Sequence, residues 1–264
     1  MSSRGLVGLD VDGTILLQDE TLSPGVADAV AAARDVGFEV MLATGRGWAG
    51  TQRFVDALGL TSSFAVCSNG AVIMRRVGEE WTRWHVEVFD PAPVLELLHD
   101  RLPEARYMVE LESGQRLYTE VLADWTLDDG RRVDFAELVS NPVSRVVVVS
   151  PGHDEEDFQR LVATVGLNEV SYAIGWTAWL DIAPRGVDKG TALERVRAEL
   201  GHDRGDVLVV GDGRNDIGMF EWALAGGGRA VAMGQAPDEV KQVAGEVTDA
   251  VEEGGLARAL RTLL

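Results

Sequence analysis

The stretch LVGLDVDGT, residues 6–14, is an apolar run that ends in two aspartates and a glycine. A near-continuous apolar run of this length is typical of a strand that is buried on both faces of a parallel sheet. Four further segments share this design, because each is an apolar run followed by small or polar residues. They are FEVMLA before Thr44, FAVC before Ser68 and Asn69, DVLVV before Gly211 and Asp212, and RAVAM before Gly234.

Helical patterns separate these runs. One begins at Ser23 and Pro24, a capping residue followed by proline in the first helical position, and ends at Gly37. Two others cover residues 188–201 and 215–226. This alternation predicts an α/β domain built on a doubly wound parallel sheet. Because ligands bind beyond the carboxyl ends of the strands in such sheets, the polar residues after each run are the candidate site.

The strand–helix alternation stops between about Met74 and Ala183. That part of the chain has segments of alternating polarity and two short helical segments, PVLELLHDRL and EEDFQRLVATVG. It predicts a smaller α+β unit inserted into the first domain. We therefore expect a core made of residues 1–77 and 185–264, with an inserted cap domain over residues 78–184.

Composition limits the classes of partner. The 264 residues carry a formal net charge of −19, which disfavours nucleic acid and anionic membrane surfaces because both would repel the chain. The single cysteine, Cys67, excludes an internal disulfide and suits a reducing compartment. Neither a signal-peptide pattern nor an apolar stretch of membrane-spanning length is present in the sequence. We expect a cytoplasmic protein that is a monomer or a homodimer.

Acidic residues follow two of the predicted strands. Asp10 and Asp12 lie two positions apart, and a strand would point both side chains to one face. Asp212 and Asp216 follow another strand, in GDGRND. If the two strands are neighbours, up to four carboxylates converge, with a repulsion of about 4 kcal/mol per close pair at an effective dielectric constant of about 20. Mg²⁺ relieves such repulsion and prefers carboxylate oxygens, so these residues predict a Mg²⁺ site.

A lysine and a hydroxyl group provide candidate anion-binding groups. Lys189 is one of only two lysines in the chain, and it lies in the first turn of a helix, where a cation opposes the helix dipole. We expect it at an exposed helix start, where it meets an anion; the alternative is an incidental surface lysine. Thr44 and Gly45 stand between a strand end and a helix start, and offer O–H and N–H donors to a phosphate.

The spacing of the glycines in this loop also matches a dinucleotide-binding motif. Gly45, Gly47 and Gly50 form G-x-G-x-x-G after an apolar run. A dinucleotide site needs an acidic residue about 20 positions further on, to bind the ribose hydroxyls. Here the next strand end reads CSNG and contains no acid. We interpret Gly45 as allowing the backbone to approach one phosphate, and dinucleotide binding is the less favoured alternative.

The motifs together resemble a known family. DVDGT, ATGR, the lysine of VDKG and GDGRND resemble the four ordered motifs of the haloacid dehalogenase superfamily of phosphatases. The insert and the closing VAMGQAPDEVK resemble its Cof-type sugar-phosphatase branch. The resemblance spans nearly the whole chain, and it implies a Rossmann-like core with an inserted cap. It also implies that Asp10 is the nucleophile and Asp12 the general acid/base.

The same resemblance implies the ligand sets. The implied phosphate ligands are the Val11 backbone, Thr44, Gly45, Lys189 and Asn215. The implied Mg²⁺ ligands are Asp10, the carbonyl group of Asp12 and Asp212, with Asp216 in support. One residue departs from the branch pattern, because this chain has MGQA where the branch usually has MGNA. The contact made by that asparagine is therefore not transferred to Gln235.

These observations predict Mg²⁺-dependent hydrolysis of small phosphate monoesters through an aspartyl-phosphate intermediate, with a small phosphorylated metabolite as the partner. A phosphomutase shares every core residue and is the nearest alternative. The alternative from a different class is a phosphate- or dinucleotide-binding module without hydrolysis. A signalling receiver domain that is only phosphorylated on aspartate is much shorter and has no insert, so the insert argues against it. The sequence does not identify the leaving group of the substrate.

Overall fold

A computed structural model of the chain describes residues 4–121, 130–152, 156–158, 160, 170–174 and 179–264. The chain divides into two compact units. One comprises Met1–His85 and Asp188–Leu264, and the other comprises Val86–Val187. We call the first the core unit and the second the cap unit.

The described residues contain strands and helices that we number along the chain. The strands are β1 (Gly5–Leu9), β2 (Phe38–Leu42), β3 (Phe64–Cys67), β4 (Val72–Val77), β5 (Glu80–Val86), β6 (Arg106–Leu111), β7 (Arg116–Tyr118), β8 (Gly130–Arg132), β9 (Val143–Val149), β10 (Val170–Ile174), β11 (Trp179–Pro184), β12 (Val207–Gly211), β13 (Arg229–Ala232) and β14 (Glu246–Val247). The α-helices are α1 (Val26–Asp35), α2 (Trp48–Ala57), α3 (Ala92–Arg101), α4 (Phe135–Leu138), α5 (Lys189–Leu200), α6 (Ile217–Ala225), α7 (Asp238–Val243) and α8 (Gly255–Arg261).

The core unit is built on a five-stranded parallel sheet in the order β14-β13-β12-β1-β2. Its two faces pack into separate apolar cores. Val7 and Leu9 of β1 lie in the core that contains residues of α1 and α8, whereas Leu6 lies in the core that contains residues of α5 and α6. Helices therefore cover both faces, and the predicted doubly wound α/β fold is confirmed.

One predicted strand lies outside this parallel sheet. The run FAVC forms β3, which pairs antiparallel with β4 in a three-stranded sheet that also contains β5. A single parallel bridge between Ala43 and Val66 links β3 to the residue that follows β2. The polar residues after β3 are thereby brought to the edge where β2 ends.

The sequence signals predict both ends of α5 correctly, but they do not predict the start of α1. At α5, Asp188 accepts a hydrogen bond from the Thr191 N–H group at 2.7 Å, and Gly201 ends the helix at φ 75°. The predicted start at Ser23 is wrong, because α1 begins at Val26. Gly25 is the residue before the helix, and its left-handed conformation (φ 72°) turns the chain there.

The cap unit contains a six-stranded mixed sheet in the order β10-β11-β9-β6-β7-β8. Its neighbouring strands are antiparallel except for β7 and β8, which are parallel. One face packs against α3 and α4 through an apolar core. The inserted α+β domain is therefore confirmed. The first predicted helix is α3, whereas most of EEDFQRLVATVG lies outside the described residues.

Among the described helices, none has the length and apolar character needed to span a bilayer.

A buried ion pair joins two strands of the cap sheet. Arg145 donates through Nε to Asp181 Oδ1 at 2.6 Å and through Nη2 to Asp181 Oδ2 at 3.0 Å. Both side chains are 2% exposed. Removing one partner of such a buried bidentate pair takes away hydrogen bonds that offset the lost hydration of the other charge.

Replacing Asp181 by Ala is therefore expected to lower the free energy of unfolding by about 3–5 kcal/mol, the usual cost of removing one partner of a buried pair. Urea unfolding of the whole chain measures this change. The matched control is Glu137→Ala, which removes the partner of Arg131 in an exposed pair of the same unit. We expect the control to cost less than about 1 kcal/mol. Equal effects in the two variants would contradict the prediction.

Candidate active site

The carboxyl ends of β1 and β12 bring two of the predicted acids together. The strands are parallel neighbours with Leu9 opposite Val210, and the Asp10 N–H group donates to the Val210 carbonyl oxygen at 3.0 Å. Asp10 and Asp212 therefore leave adjacent strands at the same edge, and both side chains are buried. The two strands are neighbours, which is the condition under which acids from both strand ends converge.

Three buried carboxylates form a cluster at this edge. Asp10, Asp212 and Asp216 each offer a carboxylate oxygen, and these oxygens lie within 4.8 Å of one another. Asp216 Oδ2 also accepts hydrogen bonds from the N–H groups of Asp212 (2.9 Å) and Gly213 (2.8 Å). These bonds fix the loop after β12, so Asp216 holds Asp212 in place as well as adding its own charge.

Asp12, the fourth predicted acid, lies apart from this cluster. The expectation that Asp10 and Asp12 point to one face is wrong, because β1 ends at Leu9 and the alternation of a strand does not continue beyond it. The Asp12 side chain is 57% exposed and pairs with Arg46. Arg46 donates through Nε to Oδ2 at 2.8 Å and through Nη2 to Oδ1 at 2.5 Å. Sequence reasoning missed Arg46, although it is the last residue of the ATGR motif.

Lys189 is buried rather than exposed. Its side chain has no accessible surface, and Nζ donates to Asp10 Oδ1 and to Asp216 Oδ1, both at 2.6 Å. The expectation of an exposed helix start is therefore wrong. Lys189 therefore places a positive charge in direct contact with the acidic cluster, and its ammonium group binds two carboxylates in this structure.

Two glycines allow the start of α5 to approach the site so closely. Gly70 has φ 101°, and a Cβ atom there would lie 2.1 Å from the Asp188 carbonyl oxygen. A Cβ atom on Gly190 would lie 2.6 Å from the Gly218 carbonyl oxygen. Neither distance is sterically possible, so any larger residue would push the helix away and withdraw Lys189 from the acids.

The charges of the cluster perturb one another. Burial, and then repulsion by Asp216, raises the pKa of Asp10 well above its ordinary value, although Lys189 opposes the shift. The same two causes raise the pKa of Asp212 to about 7. Burial acts to lower the pKa of Lys189, but attraction to Asp10 and Asp216 outweighs it and raises the value. The cluster therefore holds more negative charge than one lysine neutralises.

Three of the five predicted phosphate ligands, Thr44, Gly45 and Asn215, lie around Asn69. The Thr44 Oγ1 atom accepts the Arg46 N–H group at 3.1 Å, and the Thr44 carbonyl oxygen accepts the Asn69 N–H group at 3.0 Å. Asn215 Nδ2 donates to Asn69 Oδ1 at 3.0 Å. A Cβ atom on Gly45 would lie 3.1 Å from the same Asn69 oxygen, so glycine keeps this loop close. Asn69 joins the loops after β2 and β12, a role that its place at a strand end did not reveal.

The backbone around Val11 is fixed by the turn that follows β1. The Val11 carbonyl oxygen accepts the N–H groups of Thr14, Ile15 and Leu16 at 3.3, 2.9 and 3.0 Å. Gly13 completes the turn at φ 71°, and a Cβ atom there would lie 2.1 Å from Asp212 Oδ2. The turn therefore packs against the acidic cluster.

Gln235 contacts the site in spite of its departure from the branch pattern. Its Nε2 atom donates to the Gly13 carbonyl oxygen at 2.6 Å and lies 3.4 Å from Asp212 Oδ2. Its Oε1 atom accepts the Val251 N–H group at 3.0 Å. The longer glutamine side chain thus links the turn after β1, the loop after β12 and residue 251.

The donor set of the cluster fits a hard divalent cation. All the candidate ligands are carboxylate or carbonyl oxygens, which Mg²⁺ prefers to nitrogen or sulfur. The raised pKa values of Asp10 and Asp212 indicate charge that a cation would stabilise. Among the described residues, this is the one group of three or more acidic, histidine or cysteine side chains with metal-ligand spacing.

Comparisons with known proteins find relatives over nearly the whole chain. The model of the haloacid dehalogenase-like hydrolase family matches residues 7–260. The pyridoxal phosphate phosphatase YbhA of Escherichia coli is 30% identical over 261 residues, which cover 91% of each chain. The 5-amino-6-(5-phospho-D-ribitylamino)uracil phosphatase YitU of Bacillus subtilis is 26% identical over 97% of this chain and 96% of its own.

A solved structure shows the same fold. It is a haloacid dehalogenase-like hydrolase from B. subtilis, with a TM-score of 0.80 and 22% identity, and the match covers 98% of this chain and 100% of that one. The family match extends over nearly the whole chain, including the inserted unit, and the resemblance seen in the four motifs is confirmed. The chain belongs to the haloacid dehalogenase-like hydrolase family.

Proposed function

We propose that this chain hydrolyses small phosphate monoesters in a Mg²⁺-dependent reaction through an aspartyl-phosphate intermediate on Asp10. The chain is a phosphoric monoester hydrolase of the haloacid dehalogenase type. The observation that carries the finer proposal is the buried Asp10 carboxylate, which is bound by Lys189 within a cluster of three acids.

Asp10 is the proposed nucleophile. Lys189 binds Oδ1, so Oδ2 is the oxygen that we assign to the attack on phosphorus. Burial strips the carboxylate of water, and attack forms the new P–O bond while the bond to the ester oxygen breaks. The phosphoryl group then resides on Asp10 and the alcohol is the first product.

Asp12 is the proposed general acid and base. It donates a proton to the departing ester oxygen, and it then accepts a proton from the water that attacks the phosphorus of the aspartyl phosphate. The second attack releases inorganic phosphate and restores the Asp10 carboxylate. The exposed position of Asp12 supports this role, because the group must reach a leaving oxygen and exchange protons with solvent.

Asp10, Asp212 and the Asp12 carbonyl group would hold Mg²⁺, with Asp216 in support. When bound, the cation supplies positive charge that offsets repulsion between the acids and a phosphate dianion. Val11, Thr44, Gly45, Lys189 and Asn215 are the proposed phosphate ligands. Thr44, Gly45 and Asn215 support this assignment, because all three lie around Asn69.

A screen of phosphorylated metabolites for release of inorganic phosphate tests the proposal. The substrates named for the two relatives, pyridoxal phosphate and a phosphoribitylaminouracil, are both phosphate monoesters and belong in the screen. We expect phosphate release from at least one small monoester in the presence of Mg²⁺. Transfer of the phosphoryl group to a sugar hydroxyl without phosphate release would instead favour a mutase.

Removal of Mg²⁺ is expected to abolish turnover, because the acidic cluster cannot accept a phosphate dianion unaided. Turnover of 4-nitrophenyl phosphate after exhaustive chelation, compared with the same sample after Mg²⁺ is restored, measures this. Full activity without any divalent cation would overturn the metal-dependent part of the proposal.

The metal should also stabilise the fold in a pH-dependent way. Burial and repulsion by Asp216 raise the pKa of Asp212 to about 7, so its contribution to stability is present at low pH and is lost as the pH rises through about 7. Bound Mg²⁺ would stabilise the ionised carboxylate of Asp212 and so offset this loss of stability. We expect the increase in Tm caused by Mg²⁺ to be larger at pH 8 than at pH 5, and Asp212→Asn to reduce the difference.

A further inference from the structure

The turn after β1 continues into a short hairpin whose tip carries Glu20. Leu16 and Leu22 form an antiparallel bridge, and the Leu17 N–H group donates to the Thr21 carbonyl oxygen at 2.9 Å. Glu20 has φ 62°, in the left-handed region that residues other than glycine rarely adopt. The chain thus places a glutamate where the backbone favours glycine, which points to a function for its side chain.

The Glu20 carboxylate binds two arginines. Its Oε1 atom accepts from Arg46 Nη2 at 2.8 Å, and its Oε2 atom accepts from Arg53 Nη2 at 2.7 Å. These two hydrogen bonds lower the pKa of Glu20. Arg53 also lies over the Phe54 ring, with its guanidinium carbon 4.5 Å from the ring centroid. Glu20 therefore connects the hairpin tip to the loop after β2 and to α2.

Arg46 extends this chain of contacts to Asp12. Its Nη2 atom donates to both Glu20 and Asp12, and its Nε atom donates to the second oxygen of Asp12. Two parallel hydrogen bonds from a planar guanidinium specify the orientation of a carboxylate, which a single contact does not. The contacts run in the order Arg53, Glu20, Arg46, Asp12, and all four residues belong to the core unit.

We propose that Glu20 is a positioning residue that holds Arg46 against Asp12, and so fixes the orientation from which Asp12 transfers its proton. This inference rests on the proposed role of Asp12 in phosphate ester hydrolysis. An exposed aspartate on a turn would otherwise sample several rotamers. Proton transfer requires the carboxyl group within hydrogen-bond reach of the leaving oxygen, so lost orientation costs rate where the leaving group needs a proton.

The dependence of kcat/KM on the leaving group tests this proposal. A series of aryl phosphates from 4-nitrophenyl to unsubstituted phenyl phosphate varies the basicity of the leaving oxygen and retains the phosphate. In Glu20→Gln we expect kcat/KM for phenyl phosphate to fall about tenfold, part of the ~10²–10⁴-fold that a positioned acid supplies. We expect kcat/KM for 4-nitrophenyl phosphate to be nearly unchanged, because that phenolate departs without a proton.

Two further variants separate positioning from stability. Glu20→Gly removes the carboxylate and adopts φ 62° without strain, so it should retain or raise Tm and still show the steeper dependence on the leaving group. Arg46→Lys keeps the positive charge but loses the bidentate geometry, and it should show the same steepening. Asp249→Asn, which changes an exposed ion pair with Arg258 elsewhere in the core unit, is the matched control and should leave the series unchanged.

The outcomes distinguish this inference from the proposed function. If the unmodified protein hydrolyses aryl phosphates and Asp12→Asn steepens the dependence, the proposed role of Asp12 stands. An unchanged slope in folded Glu20→Gln and Glu20→Gly would then overturn the positioning role alone. An equal fall of kcat/KM for every ester would also overturn it, because that pattern indicates general damage to the site.

Discussion

Replacing Asp10 by Asn is expected to eliminate turnover of every phosphate monoester. An amide oxygen is a far weaker nucleophile than a carboxylate, and the neighbouring acids are committed to other contacts, with Asp216 bound to Lys189 and to the loop after β12. The variant should still fold, because asparagine keeps the shape of the side chain and removes one of three clustered negative charges. Phosphate release with 4-nitrophenyl phosphate measures the loss.

The companion change, Asp12→Asn, should behave differently. It retains the backbone carbonyl group but loses proton transfer, which is typically worth ~10²–10⁴-fold in rate. 4-Nitrophenyl phosphate needs no proton in the first step, so the aspartyl phosphate should form and then persist, because no base activates the attacking water. We expect a burst of 4-nitrophenol equal to the enzyme concentration, followed by very slow turnover.

The comparison of the two variants assigns the two roles. A burst with Asp12→Asn and none with Asp10→Asn would identify Asp10 as the residue that is phosphorylated and Asp12 as the group that transfers protons. Equal inactivation without a burst in either variant would contradict this division. Rapid-quench measurement of the first turnover, with the concentration of folded enzyme known, provides the test.

The second large effect is expected at Lys189. Lys189→Met removes the cation between Asp10 and Asp216 and leaves both carboxylates buried without it. We expect turnover to be lost and the free energy of unfolding at neutral pH to fall by about 3–5 kcal/mol, the usual cost of breaking a buried ion pair. An exposed lysine would show no such loss of stability, so the burial of Lys189 changes the expectation for this variant.

The chain offers a matched control for this variant. Lys241, the only other lysine, lies near the end of α7, and Lys241→Met should leave turnover unchanged and alter stability by no more than about 0.5 kcal/mol. Urea unfolding and phosphate release measure the two properties separately. Retained activity in Lys189→Met, or a stability equal to that of the control, would contradict the assigned role.

Much of the fold could be predicted from local patterns. The apolar runs that became β1, β2, β12 and β13 were recognisable because strands buried on both faces tolerate few polar residues. The start and end of α5 followed from Asp188 and Gly201, since capping depends on neighbouring backbone groups. FAVC carries the same apolar signal, but its antiparallel pairing depends on a hairpin partner that the run itself does not specify.

The residues that stand at the strand ends could be identified from the apolar runs alone. In a parallel sheet those ends share one edge, so Asp10, Thr44 and Asp212 had to lie near one another once the strands were neighbours. The family also followed from the order of the four motifs, and the match over residues 7–260 confirms it.

The direction and burial of the side chains beyond those ends depend on long-range packing. Asp12 turns outward to Arg46, Lys189 is buried between two acids, and Gln235 reaches across to Asp212. Each of these contacts joins residues at least 23 positions apart in the sequence, and up to 179 for Lys189 and Asp10. No local period relates residues at such separations. Loops have no repeating geometry. The directions of their side chains are therefore set by the neighbours that the packing of the sheet and the helices brings close to them.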